Sequence, residues 1–145
     1  MPTTFRANTR TGLYALLTGF QTANPTLLHH VYSRRPATFP DKLSGYVGSM
    51  PESIVHTGTT IRQRTMAPTI VLVARLSEVV SEQADAMDVL VDAFLDYCSA
   101  RPHAISNQTV TVPTSIEDVE LDAEGTFYPA AVFTFGGTVA QEGRL

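Results

Sequence analysis

The sequence predicts an α+β domain in which two helices pack on one face of a mostly antiparallel sheet. Residues 70–74 form an unbroken apolar run shortly after Pro68, which is typical of a strand buried on both faces. Residues 82–98 then change to a helical period, with one apolar side. Residues 117–122 alternate between acidic and apolar side chains, as a strand with one exposed face does.

The first helix is predicted from four apolar residues at helical spacing. Asn8 or Thr9 is a suitable N-cap, because its side-chain oxygen can accept a hydrogen bond from a free amide of the first turn. Asn24 and Pro25 should end the helix, since the residue before a proline disfavours the α region. A short strand is expected over residues 27–32. The apolar residues of this helix are Leu13, Leu16, Leu17 and Phe20.

The middle of the chain is predicted to contain a long connection and a hairpin. Residues 41–51 include two glycines and a proline and show little regular pattern, so we expect a long loop. Residues 53–57 and 60–66 should pair around Gly58. Arg62 and Arg64 would share one face of the second strand, because side chains alternate along a strand.

The ends of the last strands follow from turn residues and proline. Gly125 is expected to turn the chain between the acidic strand and a long strand over residues 127–135, with Pro129 near the start of that strand or on an edge. Residues 105–112 should be extended. Residues 1–135 therefore make one domain, and residues 136–145, with three glycines, are predicted to be a flexible tail.

The second helix has an apolar side and an aspartate stripe. Like charges at this spacing cost about 0.2–0.5 kcal/mol per close pair, or roughly 1 kcal/mol for the stripe. The stripe could face bulk water, meet basic groups of a neighbouring subunit, or line a channel through which DNA slides. The apolar residues are Met87, Leu90, Val91, Phe94 and Cys98, and the stripe is Asp85, Asp88, Asp92 and Asp96.

Basic and acidic residues are also separated on two predicted strands. Arg62 and Arg64 lie on one, and Asp118, Glu120 and Asp122 lie on the other. Such patches could meet between subunits of a head-to-tail ring, which makes all five candidate interface residues. They could equally pair on adjacent strands within one protomer.

Composition excludes several classes of function. The formal net charge is −4, and charged residues make up 17% of the 145 residues against an average near ~25%. A duplex-binding domain would need a basic surface. No segment approaches the ~20 apolar residues of a membrane span, and the first residues lack the pattern of a secretory signal, so a cytosolic product is expected.

No motif for catalysis, metal binding or cofactor binding is present, so neither a cofactor nor an enzymatic activity is predicted. The four histidines lack metal-ligand spacing, and the single cysteine, Cys98, lies on an apolar helix side. A small ligand-binding domain or enzyme stays open as an alternative. It would need a deep cavity where His56, Tyr46 or the strand acids converge.

The order of these elements and several local signatures resemble the tail terminator (tail completion) proteins of long-tailed bacteriophages. The signatures are the segment Tyr-Val-Gly-Ser-Met-Pro-Glu-Ser-Ile-Val-His-Thr-Gly at 46–58, leading into Arg62-Gln-Arg64, the strand at 68–75, the helix with Val-Asp-Ala-Phe at 91–94, and Tyr-Pro-Ala-Ala-Val-Phe at 128–133. The resemblance covers nearly the whole chain.

The resemblance implies a structural virion protein that is assembled in the host cytoplasm and lies at the head-proximal end of the tail. Such proteins form hexameric rings that cap the tail tube, stop its polymerisation and present a surface to the head. Partners would be further copies of the chain, the tail tube protein and a head-completion or neck protein, while DNA passes through the opening without specific binding. A neck or head-tail connector protein is the alternative.

The loop over residues 41–51 and the tail from Gly136 are predicted to contact the tube or neck, from loop length and lack of regular pattern and independently of the resemblance. The candidate residues are Arg34, Arg35, Lys42 and Tyr46.

Overall fold

A computed structural model describes residues 5–39, 42–58, 61–74, 80–100, 112–123, 125–136 and 138–143, with side chains described outside 80–84 and 138–143. The elements, in chain order, are α1 (Phe5–Ala23), β1 (His30–Tyr32), β2 (Ser44–Val47), β3 (Glu52–Thr57), β4 (Ile61–Met66), β5 (Thr69–Val73), α2 (Val80–Ser99), β6 (Pro113–Ala123), β7 (Thr126–Phe135) and β8 (Thr138–Gly143).

The described strands form two sheets. A five-stranded sheet has the order β1-β2-β5-β7-β6, and a three-stranded sheet has the order β3-β4-β8. β1 and β2 are parallel, whereas the other neighbours are antiparallel. Both helices pack on one face of the larger sheet. The predicted α+β class with a mostly antiparallel sheet is therefore confirmed.

The main core lies between the helices and this sheet. Every residue of β5 is buried, and its side chains alternate: Ile70 and Leu72 contact the helices, while Val71 and Val73 face the other side. Phe94 of α2 meets Phe133 edge to face with ring centroids 5.0 Å apart. Because aromatic rings bury a large apolar area, such contacts fix the helix on the sheet.

Neither of the two described helices lies on the opposite face of the sheet. The segment after β1 crosses it and places Phe39 between Tyr46 and Tyr128, at ring-centroid distances of 6.0 and 5.2 Å. The Arg35 guanidinium lies 5.6 Å from the Phe39 ring centroid. A second, smaller apolar cluster therefore forms under this segment.

The two sheets are joined at one end of β5 and β7. Ala67 and Pro68 separate β4 from β5, and residues 136–137 separate β7 from β8. Pro68 has no N–H to donate to a ladder, but its carbonyl accepts a hydrogen bond of 2.9 Å from the Phe135 amide. The three-stranded sheet thus extends from the end of the larger sheet.

Several predicted elements are confirmed. The buried strand is Thr69–Val73, the second helix spans Val80–Ser99, and α1 ends at Ala23. Both predicted hairpin turns have a glycine with positive φ, at Gly58 and Gly125. Pro129 lies near the start of β7, just before the residues that pair with β5.

The predicted N-cap of the first helix is wrong. The helix begins at Phe5, one turn earlier, and both Asn8 and Thr9 lie inside it. Thr9 is buried, and its hydroxyl donates a hydrogen bond of 2.9 Å to the carbonyl of Phe5. A buried threonine can satisfy its hydroxyl on the preceding turn, so a cap residue type need not mark a helix start.

The prediction of a long loop over residues 41–51 is wrong. Residues 44–47 form β2, which is buried along its whole length between β1 and β5. Gly45 allows close packing here: a Cβ at this position would lie 3.0 Å from Leu72 Cδ2 and 3.2 Å from Leu17 Cδ2. A glycine needed for packing was interpreted as a loop residue.

Two other predicted segments differ from the structure, and a third lies mostly outside the described residues. The tail expected from residue 136 contains β8, which pairs antiparallel with β4. The strand expected over 27–32 is limited to His30–Tyr32. The extended segment predicted at 105–112 lies outside the described residues except for Val112.

Candidate interaction surfaces

Glu52 joins the three-stranded sheet to the rest of the protomer. Arg64 of β4 donates two hydrogen bonds to its carboxylate, of 2.7 and 2.9 Å. Arg6 of α1 donates a third, of 2.6 Å, and also contacts the Met50 carbonyl at 2.9 Å. The Arg64 guanidinium also lies 5.2 Å from the ring centroid of Phe5. One carboxylate therefore connects two strands and a helix.

The hydrogen bonds from Arg64 hold the pKa of the Glu52 carboxyl below its usual value. Burial opposes this shift, and Arg6 adds to it. The Glu52 side chain is 10% exposed. The ionised carboxylate is therefore the form that the fold stabilises.

A cleft lined by arginines opens between α1, the segment after β1 and the strands β2, β5 and β7. We call it the arginine cleft; its volume is about 390 Å³. Arg10, Arg34 and Arg35 line it together with the apolar side chains of Val71 and Val132. Its other lining residues are Tyr46, Val47, Gly48, Ser49 and Thr69.

Positive charge accumulates at this cleft. Arg10 donates a hydrogen bond of 2.9 Å to the Ser33 carbonyl. Burial lowers the pKa of the Arg10 guanidinium, and the charges of Arg34 and Arg6 lower it further. Burial also raises the pKa of the Tyr46 hydroxyl, although Arg35 opposes the shift. None of the described residues that line the cleft is acidic.

An acidic projection extends beyond the last residue of β5, Val73. β5 pairs with β7 only as far as Val73 and Ala130, whereas β6 and β7 continue to pair beyond that point. We call residues 118–123 and 125–129 of this hairpin the acidic arm. Phe127, opposite Asp122 in the register, is 59% exposed.

One face of the acidic arm combines carboxylates with this aromatic ring. Asp118, Glu120 and Asp122 share the face with Phe127, since cross-strand partners lie on the same side of a sheet. All three acids are exposed. Val119 and Leu121 point to the other side, as predicted from the alternation, and pack in the smaller apolar cluster.

Pairing of the basic and acidic strands within one protomer is contradicted. β4, which carries Arg62 and Arg64, lies in the three-stranded sheet, whereas β6 is an edge strand of the larger sheet. Arg64 instead binds Glu52, and Arg62 is opposite Glu142 and His56 in the register. The subunit-interface role of these arginines and of the strand acids stays a prediction.

The aspartate stripe lies on the solvent side of α2. All four aspartates are exposed in the protomer. On the opposite side, Met87, Leu90, Phe94 and Cys98 are buried, and Val91 is half-buried, as the periodicity predicted. The role of the stripe at a subunit interface or a pore stays a prediction.

The four residues predicted to contact a tube or neck have different environments. Arg34, Arg35 and Lys42 are exposed, whereas Tyr46 is 5% exposed and belongs to the smaller apolar cluster. Arg35 also donates a hydrogen bond of 2.5 Å to the backbone carbonyl of Asp122. Lys42 and Asp85 line a second groove, of about 440 Å³, beside α2.

Four residues of these surfaces had no assigned role in the sequence-based prediction. They are Arg6, Arg10, Glu52 and Phe127. The spacing of Arg6 and Arg10 at one helical turn was a usable signal, because residues four apart share a helix side. The partner of Arg6 is 46 positions away, and no local pattern indicates such a contact.

The residues that a small enzyme site would need do not converge. His56 is exposed on β3, Tyr46 lines the arginine cleft, and the strand acids lie on the acidic arm. Within the described ranges, no three His, Cys, Asp or Glu side chains are grouped so that they could hold a metal ion. In the same part of the chain, no helix combines the length and apolar character needed to cross a membrane.

Comparison with known proteins gives a likeness of fold. The chain is similar to a chain in the solved structure of the virion of a native gene transfer agent (GTA) particle, with a TM-score of 0.58 and 10% sequence identity. The match covers 96% of this chain and 100% of the other. No family model matches the sequence, and no curated protein matches it. At this identity the likeness shows a shared fold.

Proposed function

We propose that the protein is a structural component of a virion, namely a tail terminator that forms a ring on the end of the tail tube. The observation that carries this proposal is the fold likeness to a chain of a virion particle over the full length of that chain. The sequence resemblance to tail terminators points in the same direction. From that resemblance we expect six copies in the ring.

The surfaces of the protomer support an assembly role. The three-stranded sheet exposes large apolar side chains: Ile54 is 51% exposed, Val55 61% and Ile61 44%. Ile54 and Val55 are neighbours on one strand and so point to opposite faces. A sheet with apolar residues exposed on both faces is typical of a surface that a partner covers.

The charges support a ring around DNA. The formal net charge is −4. Four of the carboxylates, those of the aspartate stripe, are exposed on one side of α2. If these carboxylates face the opening, they repel phosphates and keep DNA mobile during its passage. The tail tube protein and a neck protein are the proposed partners on the two faces of the ring.

Electron microscopy and light scattering test this proposal. The purified protein should elute as an oligomer and appear as rings with a central opening. Added to tail tubes polymerising in vitro, it should bind one end and stop elongation. A strict monomer at every concentration and salt, which also fails to bind tubes, would contradict the proposal.

A neck or connector position is the second candidate, because the matched chain belongs to the structure of a whole virion. Gold-labelled antibody on separated heads and tails distinguishes the two positions. Label on tails that lack heads supports the terminator. Label on tail-free heads supports the connector.

A further inference from the structure

We propose that the acidic arm of one copy docks into the arginine cleft of the next copy, so that Phe127 enters the cleft and the arm carboxylates meet its arginines. This inference rests on the proposed ring-forming function and names the contact that would build the ring. It differs from the interface predicted from the sequence, in which Arg62 and Arg64 supply the positive charges.

Charge complementarity is the first argument. The arm presents three exposed carboxylates on one face, and three arginines line the cleft. The Arg34 side chain is exposed and, within the described ranges, has no hydrogen-bond or ion-pair partner. Arg10 uses one nitrogen on the Ser33 carbonyl, which leaves other N–H donors for a carboxylate. Arginine favours such contacts because its planar group binds a carboxylate through two parallel hydrogen bonds.

An aromatic anchor is the second argument. Phe127 is the most exposed phenylalanine among the described residues and stands beside the carboxylates of the arm. The cleft lining combines the apolar side chains of Val71 and Val132 with the three arginines. Stable interfaces commonly combine a buried aromatic anchor with a polar rim. The two surfaces therefore match in apolar character as well as in charge.

The positions of the two surfaces favour a head-to-tail contact. The cleft is lined by Thr69 and Val71, in the first half of β5, whereas the arm continues beyond Val73 at the other end. Arg35 lies between the two surfaces, because it lines the cleft and donates a hydrogen bond to the Asp122 carbonyl of its own arm, so the contact with the next copy falls to Arg10 and Arg34. A contact between two different surfaces leaves one of each free, so it repeats from copy to copy until a ring closes.

Nucleic acid is the other occupant that an arginine cleft could accept. The apolar part of the cleft lining and the matching arm favour a protein segment, since contacts with the phosphate backbone need no apolar pocket. The test below includes DNA as an outcome that would overturn the proposal.

Disulfide trapping tests the contact directly. Cys98, the single cysteine, is buried and does not compete with introduced thiols. The double variant Phe127→Cys with Arg34→Cys should give, on mild oxidation, a ladder of linked copies that ends at the size of the ring. Phe127→Cys alone should stop at a dimer or give no product. The matched control pairs Arg34→Cys with Val89→Cys, which is 55% exposed on α2 and should give no ladder.

Charge reversal tests the ionic part. Arg34→Glu and Glu120→Arg should each raise the concentration needed for assembly by about tenfold or more, because like charges would then face each other. An equal mixture of the two variants should assemble again, since each supplies the surface that the other lacks. The double variant Ala15→Glu with Thr22→Glu changes the net charge by the same two units at exposed positions of α1 outside the cleft, and it should assemble like the unmodified protein.

The outcomes separate this inference from the proposed function. Rings that form normally in both reversal variants, without a disulfide ladder, would overturn the docking contact and leave the terminator proposal standing. A protein that never assembles, even on tail tubes, would overturn both. Binding of a short DNA duplex that Arg34→Glu abolishes, with assembly unchanged, would assign the cleft to nucleic acid and overturn the inference.

Discussion

At the residue scale, Glu52 shows how one ion pair can fix the position of a whole sheet. Its carboxylate receives hydrogen bonds from Arg64 on the neighbouring strand and from Arg6 on the first helix. Exposed ion pairs contribute little, but these groups are largely withdrawn from water on the Glu52 and Arg64 sides. Removal of the carboxylate charge should therefore affect folding.

We predict that Glu52→Gln lowers the free energy of unfolding at pH 7 by about 1.5–3 kcal/mol, the usual range for hydrogen bonds to charged groups. The glutamine amide keeps the size of the Glu52 side chain but removes the negative charge that the guanidinium groups of Arg6 and Arg64 contact. Urea denaturation followed by circular dichroism measures the change. Glu117→Gln, an exposed acid on β6, is the control and should stay within about 0.5 kcal/mol of the unmodified protein.

The pH dependence follows from the lowered pKa of Glu52. Because the folded pKa lies below the unfolded one, the contribution is fully present above the unfolded value of about 4.5 and is lost as the pH falls through the folded value. The difference in unfolding free energy between the unmodified protein and Glu52→Gln should therefore shrink below about pH 4.5. A constant difference down to pH 3 would count against this assignment.

At the element scale, the segments with a long periodic pattern could be predicted from the sequence, whereas the strands β2 and β8 could not. β5 and α2 have long, clear patterns, because a strand buried on both faces and a helix with one apolar side leave strong signals. β2 was missed because it is four residues long and contains Gly45. β8 was missed because its residues are mostly small or polar, and its partner β4 is distant in sequence.

The turn of the acidic arm offers a test at this scale. Gly125 has a φ of +82°, a conformation that side chains with a Cβ rarely adopt. We predict that Gly125→Ala lowers the free energy of unfolding by about 1 kcal/mol through backbone strain, since no atom lies close enough to clash with the new methyl group. Thermal denaturation measures the loss. Gly125→Asn should be milder, because asparagine tolerates this conformation better.

At the scale of the whole molecule, two sheets meet at a break beside Pro68. The larger sheet holds both helices and both apolar clusters. The three-stranded sheet adds exposed apolar side chains and is held by the Glu52 ion pairs. The α+β class followed from element order alone, whereas this division into two sheets depended on contacts between distant segments.

Deletion of residues 137–145 tests the independence of the larger sheet. The deletion removes β8 but none of the five strands of the larger sheet. We predict that the shortened chain still unfolds cooperatively, with a smaller dependence on urea concentration because less surface is buried. Loss of the unfolding transition would show instead that β8 is required for the core to form.

The candidate surfaces were only partly predictable, because they too depend on contacts between segments that are distant in sequence. The acidic strand was visible as an alternation, and its position at the end of a hairpin arm depends on where β5 stops pairing. The arginine cleft draws on α1, the segment after β1, and β2, which are far apart in sequence. No local pattern could have brought Arg10 and Arg34 together.

Because Cys98 is buried beneath α2, the reactivity of its thiol reports how often this helix opens locally. A thiol with no solvent exposure can react with an alkylating reagent only while the helix is lifted from the sheet. The alkylation rate, measured by mass spectrometry, therefore counts those openings, and incorporation of the chain into a larger particle should slow it if neighbours hold the helix in place.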